Sequence, residues 1–177
     1  MPGRTPHQAV DRFLSPLQLA VSCVSNNVVV HRGEHILNQP CTILVGEGGS
    51  IKLRGRSKLI LNITLNYEIV RDPNEAGSHK IHTTAYSYSI RDRQNKELLR
   101  YDWHPAIDPN ITYPHLHIED SKWKKFHLPT SRIALEQVLR LLITQFEVRT
   151  KRRDWATILT RGQRALEDHC SWHFEPR

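Results

Sequence analysis

An alternation of apolar and polar residues runs through the middle of the chain and predicts β-strands. It is clearest over residues 58–70, where apolar side chains occupy every second position: Leu59, Leu61, Ile63, Leu65, Tyr67 and Ile69. Strands of a parallel sheet buried on both faces would be continuously apolar instead. The pattern therefore predicts an antiparallel sheet with one covered face, and residues 27–118 are assigned to it.

Further strands are predicted by Thr- and Tyr-rich segments later in this region. Residues 80–90 and 97–103 are separated by a polar turn and predict a β-hairpin. Residues 113–118 form another short strand candidate, preceded by a proline-punctuated loop over 105–112.

Helical periodicity marks both ends of the chain. The apolar residues of 8–25 have helical spacing, but Pro16 interrupts them, so residues 1–26 predict two short helices meeting at Ser15. Residues 130–172 predict C-terminal helices. The first begins after Pro129, with Thr130 or Ser131 as N-cap, and carries one apolar stripe: Leu135, Val138, Leu139, Leu142, Ile143 and Phe146.

That stripe needs an apolar surface, and the uncovered face of the 58–70 strand provides one. The prediction is therefore an α+β fold, in which helices cover one face of an antiparallel β-sheet to make a two-layer sandwich. A length of 177 residues with 38% hydrophobic and 24% charged residues fits a single globular domain over 1–177.

Composition also indicates the cellular compartment in which the protein is expected. No segment has the 18–20 uncharged residues of a membrane span, and the first residues lack the apolar core of a secretory signal. Three widely spaced cysteines, Cys23, Cys41 and Cys170, fit neither a disulfide framework nor a zinc ribbon. We expect a cytoplasmic protein with reduced thiols and no membrane partner.

The net charge of +7 favours a polyanionic partner. Two basic runs include aromatic residues, a combination that suits phosphate contact and base stacking. The candidate nucleic-acid contacts are Lys122, Trp123, Lys124, Lys125, Arg152 and Arg153. The alternative is an ordinary solvated turn and a helix end whose dipole favours positive charge.

Candidate chemistry lies between residues 100 and 127, where four of the eleven histidines fall. On an extended strand His115 and His117 point to the same face, with Cα atoms about 6.6 Å apart. Arg100 and Asp102 share a face of the preceding strand. Imidazoles that titrate near neutrality beside a permanently charged guanidinium suit a phosphodiester substrate.

These residues suggest metal-independent cleavage of RNA. One histidine of the pair His115 and His117 takes the proton of the ribose 2′-hydroxyl, the other protonates the leaving 5′-oxygen, and Arg100 stabilises the phosphate. His104, His127 and Asp102 are the assisting candidates, and this route needs no cofactor. RNA is preferred to DNA because it brings its own nucleophile.

Two other interpretations of the same histidines stay open. His115, His117 and either His104 or His127 could bind a metal, since H-x-H on a strand presents two nitrogens to one zinc ion. The histidines could equally be surface residues without a chemical role, with Asp102 pairing Arg100.

The run YSYSIRDRQNKELLRYDWHP, then PHLHIED and the helix PTSRIALEQVLRLLI, resembles the TumE-like toxins of prokaryotic type II toxin-antitoxin modules. The shared order is a Tyr-rich strand, an Arg-Tyr-Asp signature and a Pro-His motif before a final helix. The resemblance covers residues 80–146. This chain departs from the family in Leu116, which stands where the family is richer in histidine and lysine, and in its long N-terminal part.

The resemblance implies a growth-inhibiting toxin that acts on RNA and is silenced by a cognate antitoxin, or a relative that kept the fold without the activity. A second hypothesis is a non-enzymatic adaptor, antitoxin-like partner or inhibitor that uses the basic surface without turnover. In that case the histidines are dispensable. A homodimer is left open by the sequence.

Overall fold

A computed structural model of the protein describes residues 2–119 and 126–168. One mainly antiparallel sheet forms the frame of the molecule. Its strands run in the order β1-β2-β4-β5-β6-β7-β8, with β3 pairing to β4 beside β2. The strands are β1 Val29–Arg32, β2 Pro40–Val45, β3 Ser50–Lys52, β4 Ile60–Arg71, β5 His79–Arg91, β6 Glu97–Trp103, β7 His115–Ile118 and β8 Leu128–Pro129.

Alternation along the central strands gives the sheet two different faces. Along β4 the burial alternates residue by residue, so that Leu61, Ile63 and Leu65 lie in the core. The cross-strand partners Tyr88 and Tyr86 continue this apolar face onto β5. The opposite face carries polar side chains, and the expectation of a sheet covered on one side is confirmed.

Three helices accompany the sheet: α1 Pro6–Ser22, α2 Leu135–Gln145 and α3 Trp155–Glu167. Their buried residues belong to one hydrophobic cluster together with the core residues of the strands. The predicted stripe of α2 is present, with Leu135, Val138, Leu139 and Leu142 buried. The protein is thus an α+β fold of helices on an antiparallel sheet. None of the helices in the described ranges has the length and apolar character needed to cross a membrane.

The N-terminal region differs from the prediction of two short helices, because α1 is continuous and contains Pro16. Proline removes one backbone hydrogen bond from a helix. Both halves of α1 nevertheless bury the same face, from Ala9 through Phe13 and Leu17 to Val21. Since that shared burial needs an uninterrupted helix, it outweighs the missing hydrogen bond.

The start of α2 also differs from the prediction, since neither Thr130 nor Ser131 is the N-cap. The cap position is Ala134, whose backbone N–H donates to the Gln137 side chain at 2.8 Å. The chain just before it is held extended, because the Thr130 N–H donates to the Pro114 carbonyl at 2.8 Å. The sheet therefore reaches beyond residue 118 to β8, and helix begins only at Leu135.

Candidate functional site

The site candidates lie on the polar face of the sheet, at the end formed by β6, β7 and β8. Strand register places Arg100 opposite His117 and Asp102 opposite His115. On the next strand the pairing of His115 with Pro129 brings His127 alongside His117. The sequence prediction that His115, His117, Arg100 and Asp102 share one face is confirmed.

Three imidazoles meet at this place, and we call His115, His117 and His127 the histidine centre. Their ring centroids are separated by 4.8 Å for His115 and His117, 4.7 Å for His115 and His127, and 4.5 Å for His117 and His127. One nitrogen from each ring lies within 4.8 Å of the others. Three nitrogens from three chain positions therefore face a common volume.

A hydrogen bond assigns the protonated nitrogen of His115, and the neighbouring groups bear on the nitrogens of the other two rings. The His115 Nδ1 lies 3.0 Å from the Tyr113 carbonyl oxygen, which only accepts, so Nδ1 carries the proton and Nε2 the lone pair. The His127 Nδ1 is buried and has no hydrogen-bond partner. His117 Nε2 lies 3.7 Å from a carboxylate oxygen of Asp102, which favours a proton on Nε2 and a lone pair on Nδ1.

Asp102 connects the centre to the other predicted residues. One of its oxygens lies 2.8 Å from Arg100 Nε, and the other lies 3.5 Å from His104 Nε2. The Arg100 contact is an ion pair without a well-aligned hydrogen bond at Nε. A second carboxylate, Glu97, lies 3.4 Å from the Arg100 Nη1 and 3.5 Å from Arg91. Arg100 is therefore bracketed by two acidic residues.

The surroundings change the protonation of two groups. Burial alone would raise the pKa of Asp102, but the neighbouring polar groups of His104 and Ser87, with the charge of Arg100, outweigh it and lower the pKa to about 2. Burial lowers the pKa of His117 to about 4, and Arg100 and the neighbouring imidazoles add to that effect against the opposing charge of Asp102. At neutral pH Asp102 is ionised and His117 is neutral.

The side chains of the site are less exposed to solvent than those on an open sheet face would be. His115 is only 6% exposed, and the side chain of His117 is 15% exposed. The side chains of Arg100 and His104 are the more accessible, at 34% and 26%. A ligand of the site would meet Arg100 and His104 first and the histidine centre behind them.

Of the predicted nucleic-acid contacts, the described part of the chain contains only Arg152 and Arg153, and these two lie away from the histidine centre. Lys122, Trp123, Lys124 and Lys125 lie outside the described residues. Arg152 and Arg153 are exposed in the segment between α2 and α3. Arg152 forms a two-pronged ion pair with Asp154 and lines a groove beside α1 and β1, at the opposite edge of the sheet from β8.

A second histidine group was not anticipated from the sequence: His7 on α1, His31 on β1 and His35 in the loop that follows. His35 Nδ1 lies 3.1 Å from His7 Nδ1, and its Nε2 lies 3.2 Å from His31 Nε2. His7 in turn contacts Asp11 at 3.3 Å. His31 and His35 are four residues apart, but His7 is distant from both in sequence, so the packing of α1 beside β1 is what brings it to them.

The sequence interpretation also missed Glu97 and Tyr113. Glu97 accepts a hydrogen bond from the Ser89 hydroxyl at 2.6 Å. This bond holds the Glu97 carboxylate in place beside Arg100. Its position next to the polar turn of a predicted hairpin was a usable signal. The Tyr113 carbonyl that orients His115 is a backbone group, which leaves no trace in residue type.

Three comparisons of this chain with known proteins found no match. No family model, no curated protein and no solved structure matches it.

Proposed function

We propose that the protein cleaves phosphodiester bonds of RNA at the histidine centre, with Arg100 binding the phosphate. The observation that carries this proposal is the convergence of three imidazoles beside Arg100 on one sheet face. Imidazoles move protons near neutral pH, and a guanidinium matches the geometry of phosphate oxygens. RNA supplies a 2′-hydroxyl nucleophile within the substrate itself, which DNA does not.

The spacing of the imidazoles decides how the roles are divided. In an in-line displacement the attacking and leaving oxygens lie on opposite sides of the phosphorus, so the acid and base nitrogens are expected to be well separated. The three nitrogens of the centre lie within 4.8 Å of one another. The separations argue against dividing acid and base between His115 and His117. The centre acts as one unit, on the side of the 2′-hydroxyl.

His104 is then the candidate for the leaving-group side. It contacts the oxygen of Asp102 that is not shared with Arg100 and His117. Asp102 thus lies between the two halves of the site and holds each in position. In this arrangement His104 protonates the leaving 5′-oxygen while Arg100 stabilises the charge on the non-bridging oxygens.

The setting that the sequence resemblance implies adds to this proposal. A TumE-like toxin would act on cellular RNA in the cytoplasm and be held inactive by an antitoxin. The described cysteines, Cys23 and Cys41, are both buried free thiols, which accords with a reducing compartment.

The test is cleavage of a fluorescent RNA oligonucleotide by the full chain and by His117→Gln and Arg100→Gln variants. Each substitution is expected to lower the rate by about 100-fold or more, because each removes a proton-transfer or charge-stabilising group. A DNA oligonucleotide of the same sequence should remain intact. Arg93→Gln, an exposed arginine in the turn after β5, is the matched control.

Two results would contradict the proposal. The first is RNA cleavage that His117→Gln leaves unchanged, and the second is equal cleavage of the RNA and DNA strands. RNA binding without cleavage, unaffected by His117→Gln, would instead support a non-catalytic binding protein. The net charge of +7 is the observation that favours this second function.

A further inference from the structure

We propose that the histidine centre is a binding site for a divalent transition metal ion, with zinc as the reference ion. The inference rests on the proposed function only for the use of the ion, since the site itself is argued from His115, His117 and His127. Imidazole nitrogens are ligands that zinc prefers. Three protein ligands with a fourth position left for water or substrate are the usual arrangement of a catalytic zinc site.

The ring positions are close to those that zinc requires. In a tetrahedral site with Zn–N distances of about 2.0–2.1 Å, the ligating nitrogens lie about 3.4 Å apart. The nitrogens of the centre lie within 4.8 Å of one another. Rotation of the imidazoles about their side-chain bonds closes the difference, and β7 and β8 keep their pairing.

The contacts of the three rings are also compatible with metal binding. His115 donates from Nδ1 to the Tyr113 carbonyl, which leaves Nε2 available as a ligand. A carboxylate beside His117 repeats the carboxylate–histidine arrangement found behind metal-ligating imidazoles. The buried Nδ1 of His127 lacks a hydrogen-bond partner, and a metal ion would satisfy it.

The charges around the centre supply a functional reason for the ion. Asp102 and Glu97 balance the guanidinium groups of Arg100 and Arg91, so these four residues sum to zero. Arg100 can orient a phosphate within this balanced network, but the four charges together add little net attraction for it. A divalent ion behind Arg100 would attract the phosphate and would lower the pKa of a bound water. With His115, His117 and His127 as its ligands, the ion would supply the basic group on the 2′-hydroxyl side in place of a free imidazole.

The experiment is calorimetric titration of the full chain with Zn²⁺, after chelator treatment and its removal. We expect one zinc ion per chain. His117→Gln and His127→Gln should each weaken its binding by more than about 100-fold, because losing a second-shell partner alone costs 10- to 100-fold. Asp102→Asn should weaken it by about 10- to 100-fold. Circular dichroism with chelator present checks that each variant is folded.

Two matched controls address binding elsewhere. His35→Gln removes the central member of the second histidine group, and His82→Gln removes an exposed histidine of β5. Both variants should bind zinc as the unchanged protein does. Loss of zinc binding in His35→Gln, or its retention in folded His117→Gln and His127→Gln, would overturn the assignment.

The proposal of a metal site and the proposal of RNA cleavage are refuted by different results. If zinc binds at the centre and RNA stays intact, the site is established and the function is refuted. If RNA is cut at full rate in chelator and zinc does not bind, the site is refuted and the function stands. Binding of Co²⁺ as a second probe, with the visible absorption of tetrahedral coordination, would independently support the three-histidine geometry.

Discussion

A buried glutamate gives the protein a stability that decreases as pH rises. Glu136 on α2 is 2% exposed, and its Oε2 has no hydrogen-bond partner. Burial raises its pKa from 4.5 to about 7. The native state therefore holds a proton that the unfolded chain releases at lower pH. This contribution to stability is full below pH 4.5 and is lost as pH rises through 7.

The Glu136→Gln substitution keeps the shape of the side chain and removes its ionisation. A pKa raised from 4.5 to about 7 corresponds to about 3 kcal/mol, at about 1.4 kcal/mol per pKa unit. The side chain is almost fully buried, so solvent screening reduces this value little. Relative to the unchanged protein, the variant should gain about 3 kcal/mol in unfolding free energy between pH 4.5 and pH 9.

Urea unfolding followed by circular dichroism at pH 4.5, 7 and 9 measures this difference. Comparing the two proteins at each pH cancels the titration of all other groups. Glu75→Gln, in the exposed loop between β4 and β5, is the control and should give a pH-independent difference. A Glu136→Gln protein whose stability follows that of the unchanged protein at all three values would refute the reasoning.

Two further predictions concern packing and acid stability. Gly162→Ala should destabilise the protein by about 1–3 kcal/mol in urea unfolding, because a Cβ there would lie 2.6 Å from the Glu136 Oε1. The same change at an unobstructed helix position is expected to stabilise instead. Burial and the nearby His31 and His7 lower the pKa of His35, so its contribution to stability is present above pH 6.5 and lost as pH falls below it. Stability measured from pH 7 to pH 5 should decrease less in His35→Gln, and an equal decrease would contradict this.

The sheet and the apolar side of α2 could be predicted because each has a strong period in the sequence. The alternation from Leu59 to Ile69 indicates β4 and its covered face without reference to any other strand. The stripe from Leu135 to Leu142 likewise identifies α2. Where a single element buries one regular face, the pattern is enough.

The remaining features depend on contacts between distant segments. The sequence favours a break at Pro16, but the shared burial of both halves keeps α1 whole. β8 has two residues, one of them a proline, so no strand period marks it. Because His127 reaches His117 through that strand, its membership of the centre could be raised only as one alternative among several.

Both proposals place the chemistry of the protein at the point where His115, His117 and His127 converge, and the metal proposal adds that an ion can occupy this point. The most direct measurement is the anomalous difference map of a crystal of the protein grown with Zn²⁺, recorded on both sides of the zinc absorption edge. We expect one strong peak within about 2.1 Å of a nitrogen from each of the three rings. A peak at His7 and His35 with none between the three rings would contradict it.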